Sequence, residues 1–292
     1  MKRRFYQLDV FTRRPYRGNP LAVVIDADGL ATPQMQAVAR EMNLSETVFV
    51  QKPTTNSALA RLRIFTTTTE LPLAGHPVIG TWFLLAELGV VPAREGAVRV
   101  LQQTGAGVLP VEIFFEKGKP QLVTMTQRPA TFRPARLDRK RLAAALGLRP
   151  SDFHSELPLE YVSTGIFNLI VPLASPGSLA RIELNVPALR QVLGSHSVMA
   201  YCAFAKGHQA RARGMLPWGL AEDPATGSAA GSMGAYLVRH KRLEAGQPLE
   251  IVQGVEMGRT SEIYVNVIEA DGYLVPKVSG SAVRVLEGRL EA

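Results

Sequence analysis

Two short segments of this 292-residue chain repeat the same residue types at the same spacing. Each has a glutamate, a proline two positions later and a glycine three positions after that, and the two segments are about half the chain length apart. The matching residues are Glu70, Pro72 and Gly75 in the first segment and Glu222, Pro224 and Gly227 in the second. An apolar or small-residue helix pattern follows each, so the repeat indicates two related halves.

The chemistry that these segments predict is the binding of a small acid. A glycine lets the backbone approach a ligand closely, and the helix that follows presents unpaired N–H groups and the positive end of its dipole. If a pseudo-twofold axis relates the two halves, the helix starts at Gly75 and Gly227 face one cleft. Backbone N–H groups there would hold a carboxylate or stabilise an enolate that develops beside it.

Such a reaction also requires a proton carrier, and the candidates are Glu46, His76 and Asp223. Pattern alone favours an exposed carboxylate at the start of a strand for Glu46. A structural, hydrogen-bonded histidine is as good an interpretation of His76 as a catalytic one. Asp223 fits equally well as an acid that caps the following helix.

The elements that must position these residues are mostly strands in the first half. A helix is predicted at residues 33–42 with Thr32 as its N-cap, a fully apolar and therefore buried helix at 77–88, and a small-residue helix at 229–239. The predicted strands are residues 4–10, 21–25, 47–50, 60–65, 98–102, 111–115, 122–127, 160–163, 168–172, 198–205, 211–216, 249–253, 261–267 and 282–287.

Length and composition predict a two-lobed globular protein. Hydrophobic residues make up 46% and charged residues 20% of the chain, which is enough to bury a core. We place the lobes at residues 1–127 and 128–292, with the last strand, about 282–290, able to return to the first lobe. The single cysteine, Cys202, sits in an apolar strand, which predicts a buried thiol and a reducing, cytoplasmic location.

The net charge of +8 favours an anionic substrate. The basic residues are dispersed and not interleaved with aromatic residues, so nucleic-acid binding is not expected, and no apolar run is long enough to span a bilayer. No metal is expected, because the five histidines lack metal-ligand spacing. These are His76, His154, His196, His208 and His240. Gly105-Ala106-Gly107 lacks the third glycine of a dinucleotide-binding loop.

Several segments together resemble the PhzF family, the isomerases of phenazine biosynthesis and their relatives. The matching stretches are Asp9-Val10-Phe11, Gly18-Asn19-Pro20-Leu21-Ala22-Val23-Val24, Asn43-Leu44-Ser45-Glu46-Thr47-Val48-Phe49, Glu70-Leu71, Ala74-Gly75-His76-Pro77, Ser163-Thr164-Gly165, Glu222-Asp223-Pro224-Ala225-Thr226-Gly227-Ser228-Ala229, Gln253-Gly254 and Met257-Gly258-Arg259. They occur in the expected order over essentially the whole chain.

The resemblance implies an α+β fold like that of diaminopimelate epimerase. Such a fold has two pseudo-symmetric lobes, each a curved sheet or barrel around a central helix, and it is commonly a homodimer. Epimerases of this fold use two cysteines as acid and base, whereas this chain has Ala74 and Thr226 at those positions. The family members need no cofactor.

The resemblance also implies roles for individual residues. It carries over to Glu46 the shuttling of a proton between two carbons of trans-2,3-dihydro-3-hydroxyanthranilate, with His76 and Asp223 as polar partners. The implied substrate contacts lie beside these residues, at Ser45, Gly75, Gly227 and Ser228.

Three departures from the family pattern put the phenazine substrate itself in question. They are Thr67, Met215 and Thr260. Two alternative functions therefore stay open: an epimerase or racemase of amino or hydroxy acids, and a metabolite-binding protein without catalysis.

Overall fold

The computed structural model describes residues 2–194, 198–218 and 221–291. The chain divides into two compact units. Unit 1 runs to Thr126 and resumes at Ser279, and unit 2 covers Gln127–Val278. His196, one of the five histidines considered as metal ligands, lies outside the described residues.

Unit 1 contains nine strands and two helices in the described residues. They are β1 Lys2–Val10, β2 Asn19–Val24, α1 Thr32–Met42, β3 Glu46–Gln51, β4 Ala60–Phe65, β5 Glu70–Leu71, α2 Gly75–Glu87, β6 Gly96–Thr104, β7 Gly107–Glu116, β8 Lys119–Thr126 and, from the C-terminal end of the chain, β18 Ala282–Glu291. The strands pair in the order β18-β1-β2-β3-β4-β6-β7-β8, with parallel pairing at β2–β3 and β4–β6 only.

The sheet of unit 1 wraps around α2. This helix contacts strands at both ends of the pairing order, namely β18 and β1 at one end and β7 and β8 at the other. Most of its side chains are apolar, and Trp82, Ile79 and Leu84 are completely buried. A helix without a polar face is stable only when it is surrounded, which is why it forms the centre of this unit.

Unit 2 contains nine further strands and four α-helices. They are β9 Thr131–Pro134, α3 Arg139–Ala145, β10 Glu160–Ser163, β11 Phe167–Pro172, α4 Pro176–Ala180, α5 Val186–Leu193, β12 Met199–Lys206, β13 Gln209–Met215, β14 Glu222–Asp223, α6 Gly227–Arg239, β15 Pro248–Gln253, β16 Ser261–Ala270 and β17 Tyr273–Gly280, whose last two residues fall in unit 1.

The pairing in unit 2 repeats that of unit 1. Its strands follow the order β9-β10-β11-β12-β13-β15-β16, with parallel pairing at β11–β12 and β13–β15. A two-residue strand, β5 or β14, precedes a 13-residue central helix in each unit. The predicted duplication is therefore confirmed, and the fold is α+β as expected.

Several sequence predictions need correction. Thr32 is the first residue of α1 and not its N-cap. The N-cap is Ala31, and its backbone N–H donates to Gln34 Oε1 at 2.9 Å. The two central helices begin two residues earlier than predicted, at Gly75 and Gly227. The pattern of residues 128–198 did not predict β9 or helices α3 to α5, because each is only four to eight residues long.

No helix in the described part of the chain is long and apolar enough to cross a membrane. Cys202 is completely buried in β12, as predicted, and burial raises the pKa of its thiol to about 12. It forms part of the core of unit 2 and is not a nucleophile.

Candidate active site

Glu46 is the first residue of β3 in unit 1, and its backbone is set by two features. The C-cap of α1 is Asn43, whose left-handed conformation (φ 51°) turns the chain back, and Glu46 then lies opposite Leu21 in the parallel pairing with β2. The side chain is only 17% exposed. The interpretation of Glu46 as an exposed carboxylate is therefore wrong.

His76 lies in the first turn of α2 and approaches Glu46. Its Nε2 atom is 3.3 Å from Glu46 Oε2, but the two atoms are not aligned for a hydrogen bond. The imidazole is almost completely buried, and burial lowers its pKa to about 3. The ring is therefore neutral near pH 7 and can serve as donor or acceptor without a charge.

Two predicted substrate contacts flank this pair. Ser45 precedes Glu46 and is partly exposed, and Gly75 is the first residue of α2. The N-cap of α2 is Ala74, which has no side-chain oxygen to bond the first backbone N–H groups of the helix. Unit 1 thus places a carboxylate, a neutral imidazole and a helix start side by side.

The segment before α2 is held in place by interactions of its glutamate and its proline. Glu70 forms a two-pronged ion pair with Arg63 of β4, with Nε–Oε1 and Nη2–Oε2 distances of 2.8 and 2.6 Å. Pro72 accepts a hydrogen bond from the Ala106 backbone N–H at 3.1 Å. A Cβ on Gly105 would lie 2.8 Å from Pro72 Cα, so only glycine fits there.

The corresponding segment of unit 2 is fastened in the same way. Glu222 pairs with Arg213 of β13, with Nε–Oε1 and Nη2–Oε2 distances of 2.9 and 2.7 Å. A Cβ on Gly254 would lie 2.6 Å from the Pro224 carbonyl oxygen. The repeated Glu and Pro are therefore structural residues that hold each segment to its sheet, and they are not the chemical groups of the site.

Asp223 is the titratable residue of the second segment, and Gln253 fixes its surroundings. The Asp223 carboxylate accepts a hydrogen bond from Thr226 Oγ1. Gln253 Nε2 donates to the Asp223 carbonyl at 2.8 Å and to Thr226 Oγ1 at 3.1 Å. Gln253 Oε1 accepts from the Thr226 backbone N–H at 3.1 Å and from the Tyr201 hydroxyl at 3.0 Å.

These contacts settle the capping interpretation of Asp223. The N-cap of α6 is Thr226, so Asp223 is not the N-cap acid that the sequence left open. Gln253 and Tyr201 are completely buried, and burial together with the Asp223 charge raises the pKa of Tyr201. Tyr201 therefore remains a neutral hydroxyl donor.

Gly227 and Ser228 begin α6, and their carbonyl groups are held from neighbouring segments. Gln127 Nε2 donates to the Gly227 carbonyl at 2.9 Å, and Thr164 Oγ1 donates to the Ser228 carbonyl at 3.3 Å. The Ser228 side chain belongs to a partly exposed residue, while Gly227 is buried. The start of α6 thus keeps a fixed position in unit 2.

The roles of Arg63, Arg213 and Gln253 are not evident from the sequence pattern. The two arginines lie seven and nine residues before their glutamates, a spacing that gains meaning only when β4 and β13 are known to pair with the short strands β5 and β14. Gln253 is 27 residues from Thr226, so only the tertiary structure reveals their contact.

Known proteins that resemble this chain identify its family. A family model described as phenazine biosynthesis-like protein (PhzC-PhzF) matches residues 8–288. This chain belongs to the PhzC-PhzF family. A relative in Pseudomonas aeruginosa, trans-2,3-dihydro-3-hydroxyanthranilate isomerase, is 38% identical over 98% of both chains. The chain is accordingly an isomerase of the PhzF type.

Two solved structures place the fold. The PhzF-family phenazine biosynthesis protein of Bacillus anthracis superposes with a TM-score of 0.89 over 100% of both chains at 29% identity. A probable proline racemase from Agrobacterium radiobacter K84 reaches a TM-score of 0.69 at 15% identity, covering 99% of this chain and 93% of that chain. The second likeness shows a shared fold alone and confirms the predicted epimerase-like architecture.

Proposed function

We propose that this family member moves a proton between two carbons of a small cyclic or unsaturated carboxylic acid without a cofactor, and that Glu46 carries the proton. The substrate class is that of trans-2,3-dihydro-3-hydroxyanthranilate, the compound in the name of the Pseudomonas aeruginosa relative. The observation that supports this most is the approach of Glu46 Oε2 to within 3.3 Å of the His76 imidazole in a mostly buried setting.

The proposed step is balanced by a single proton. Glu46 takes a proton from one C–H bond, the electron pair of that bond delocalises into the adjacent unsaturated system, and Glu46 returns the proton to a second carbon. A carboxylate suits this task because it has two oxygens and turns about one bond. The neutral His76 ring donates or accepts one hydrogen bond during the transfer and so orients Glu46 or the substrate.

The other predicted site residues receive supporting roles. We assign substrate contacts to Ser45 and Gly75 in unit 1 and to Gly227 and Ser228 in unit 2. Asp223, oriented by Thr226, acts as a polar partner of the substrate. The net charge of +8 favours the approach of an anionic substrate. We also propose a homodimer that works in the cytoplasm.

An amino-acid or hydroxy-acid epimerase is the alternative, and the structure disfavours its two-thiol mechanism. The N-cap positions of α2 and α6 are Ala74 and Thr226. The only cysteine of the chain, Cys202, is completely buried, and burial raises its pKa to about 12. A thiolate is therefore not available as a base near pH 7.

The test is the turnover of trans-2,3-dihydro-3-hydroxyanthranilate by the purified protein and by Glu46→Gln. General acid-base groups contribute about 10²- to 10⁴-fold, so Glu46→Gln should lose at least about 100-fold in kcat. Glu41→Gln, the same change at an exposed glutamate of α1, is the matched control and should keep wild-type turnover. Equal turnover by Glu46→Gln and Glu41→Gln would exclude Glu46 as the proton carrier.

A further inference from the structure

Unit 2 contains a cavity that the proposed reaction does not use. Its volume is about 370 Å³, within the roughly 300 to 1,000 Å³ that small-molecule sites occupy. The cavity lies among the ends of β11 and β12, the turn between β12 and β13, and the C-terminal half of α6. Ser228, by contrast, is in the first turn of α6, about 17 Å along the helix axis from the last residue of the helix, Arg239, at 1.5 Å per residue.

The inner wall of the cavity is apolar. It includes Leu157, Leu173, Ala203, Met233 and Leu237, each of which is at most 8% exposed. These side chains belong to four different segments, so their positions are fixed by the core of unit 2. Such a wall favours the hydrocarbon part of a ligand.

The charged side chains around the cavity are cationic. Lys206, Lys241 and Arg242 contribute cationic side chains, and none of the residues around the cavity is acidic. Arg242 is paired with Glu156, which does not line the cavity. Within the described residues, Lys206 and Lys241 have no carboxylate within 4.0 Å, so their charges are available to a ligand.

His154 adds a further donor. Its Nδ1 atom accepts hydrogen bonds from the backbone N–H groups of Glu156 and Leu157 at 3.2 and 3.3 Å. An Nδ1 atom that accepts cannot carry the proton of a neutral ring, so that proton is on Nε2. The His154 ring therefore presents an N–H group as well.

Backbone hydrogen bonds at the end of α6 fix the main chain of two of the cationic residues, Lys241 and Arg242. α6 ends in a Schellman motif, in which the N–H groups of Lys241 and Arg242 bond the carbonyls of Val238 and Leu237 at 3.0 and 2.8 Å. Lys241 occupies the left-handed position of this motif (φ 56°), where glycine is favoured. The third cationic residue, Lys206, is the last residue of β12, next to the β12–β13 turn.

We propose that this cavity is a second ligand site, and that it binds a small aromatic carboxylate. The apolar wall takes the ring, and Lys206, Lys241 and the His154 N–H take the carboxylate. Charge complementarity on one side and an apolar wall on the other exclude a cation or a fully polar anion as the preferred ligand. The proposal does not depend on the proton-transfer function assigned to Glu46.

NMR of the protein labelled with ¹³C at its methionine methyl groups tests the proposal. Met233 lines the cavity, and Met233→Leu assigns its signal. We expect benzoate to shift the Met233 signal with saturation, and at least about tenfold more tightly than inorganic phosphate or benzyl alcohol. Equal affinity for benzyl alcohol would contradict the role of the charges, and equal affinity for phosphate that of the apolar wall.

Charge reversal identifies the cations. The double variant Lys206→Glu/Lys241→Glu should weaken benzoate binding at least about tenfold, whereas Lys117→Glu/Lys140→Glu, with the same change in net charge at exposed positions elsewhere, should not. The methionine spectrum without ligand reports whether each variant folds. A Met233 signal that does not saturate with benzoate, or equal affinity in both folded double variants, would overturn the proposal.

Discussion

At the scale of single residues, the neutral state of His76 decides how Glu46 can work. An imidazolium beside Glu46 would stabilise the carboxylate and make it a weaker base. Burial instead lowers the pKa of His76 to about 3, so the ring carries no charge near pH 7. The ring can then hydrogen-bond to Glu46 or to the substrate without suppressing the basicity of the carboxylate.

This state makes the folding stability depend on pH. Below about pH 6.5 the unfolded chain protonates His76 while the folded chain does not, so the free energy of unfolding falls as the pH falls from about 6.5 towards 3. Between pH 7.5 and pH 5 the wild type should lose about 2 kcal/mol more than His76→Gln, because each pH unit below 6.5 contributes about 1.4 kcal/mol.

Urea unfolding at the two pH values measures this difference. His208→Gln, at an exposed histidine, is the matched control and should show the same pH dependence as the wild type. An identical loss of stability in the wild type and His76→Gln would mean that His76 is charged in the folded protein.

At the scale of elements, each segment before a central helix is held by the sheet and not by the helix. Arg63 and Arg213 form ion pairs with the glutamates of the two segments. The prolines of the segments lie close to Gly105 and Gly254. In unit 2, Gln253 adds four hydrogen bonds, of which three fix Thr226 and the Asp223 backbone and one accepts from the Tyr201 hydroxyl. We infer that Gln253 acts through Asp223 as a positioning residue.

Replacement of Gln253 by leucine tests this inference. Loss of its bonds leaves the buried Tyr201 hydroxyl and the Thr226 N–H without their acceptor, so the free energy of unfolding should drop by about 2 to 4 kcal/mol. At a temperature where the variant is folded, kcat should also fall by about tenfold or more, since a misplaced polar partner costs about that much.

Gln102→Leu is the control for a buried glutamine. Gln102 is also completely buried, but its Oε1 accepts from Trp82 Nε1 at 2.8 Å within unit 1. It should lower stability and leave kcat of the folded enzyme near the wild-type value. If Gln253→Leu and Gln102→Leu change only stability, Gln253 is a structural residue alone.

At the scale of the whole molecule, two units carry the same order of strands and a central helix of the same length. The sequence predicted this duplication from Glu70, Pro72 and Gly75 and their counterparts, because those residues lie next to each other along the chain. It did not predict the short elements β9 and α3 to α5. It also did not predict the contacts of Gln253, since partners far apart in sequence meet only in the folded structure.

For Glu46, the sequence pattern predicted the position in the fold but not the environment of the side chain. Its position at the start of a strand was evident from the pattern, yet the pattern favoured exposure, and the structure shows a side chain that is only 17% exposed. The strand that it begins, β3, contacts α1 and α2, which lie before and after it in the chain. The chemical role therefore came from the family resemblance and not from local sequence.

The most direct test of the central claim is the reaction of trans-2,3-dihydro-3-hydroxyanthranilate in deuterated water, followed by NMR of the product. If Glu46 carries the proton, wild-type enzyme and Glu41→Gln place deuterium on one carbon of the product. The extent of labelling depends on how often the Glu46 carboxyl group exchanges its proton with solvent before it returns that proton to the substrate. Glu46→Gln should form no labelled product at enzyme concentrations that convert all substrate with the wild type. Labelled product from Glu46→Gln at the wild-type rate would contradict the account.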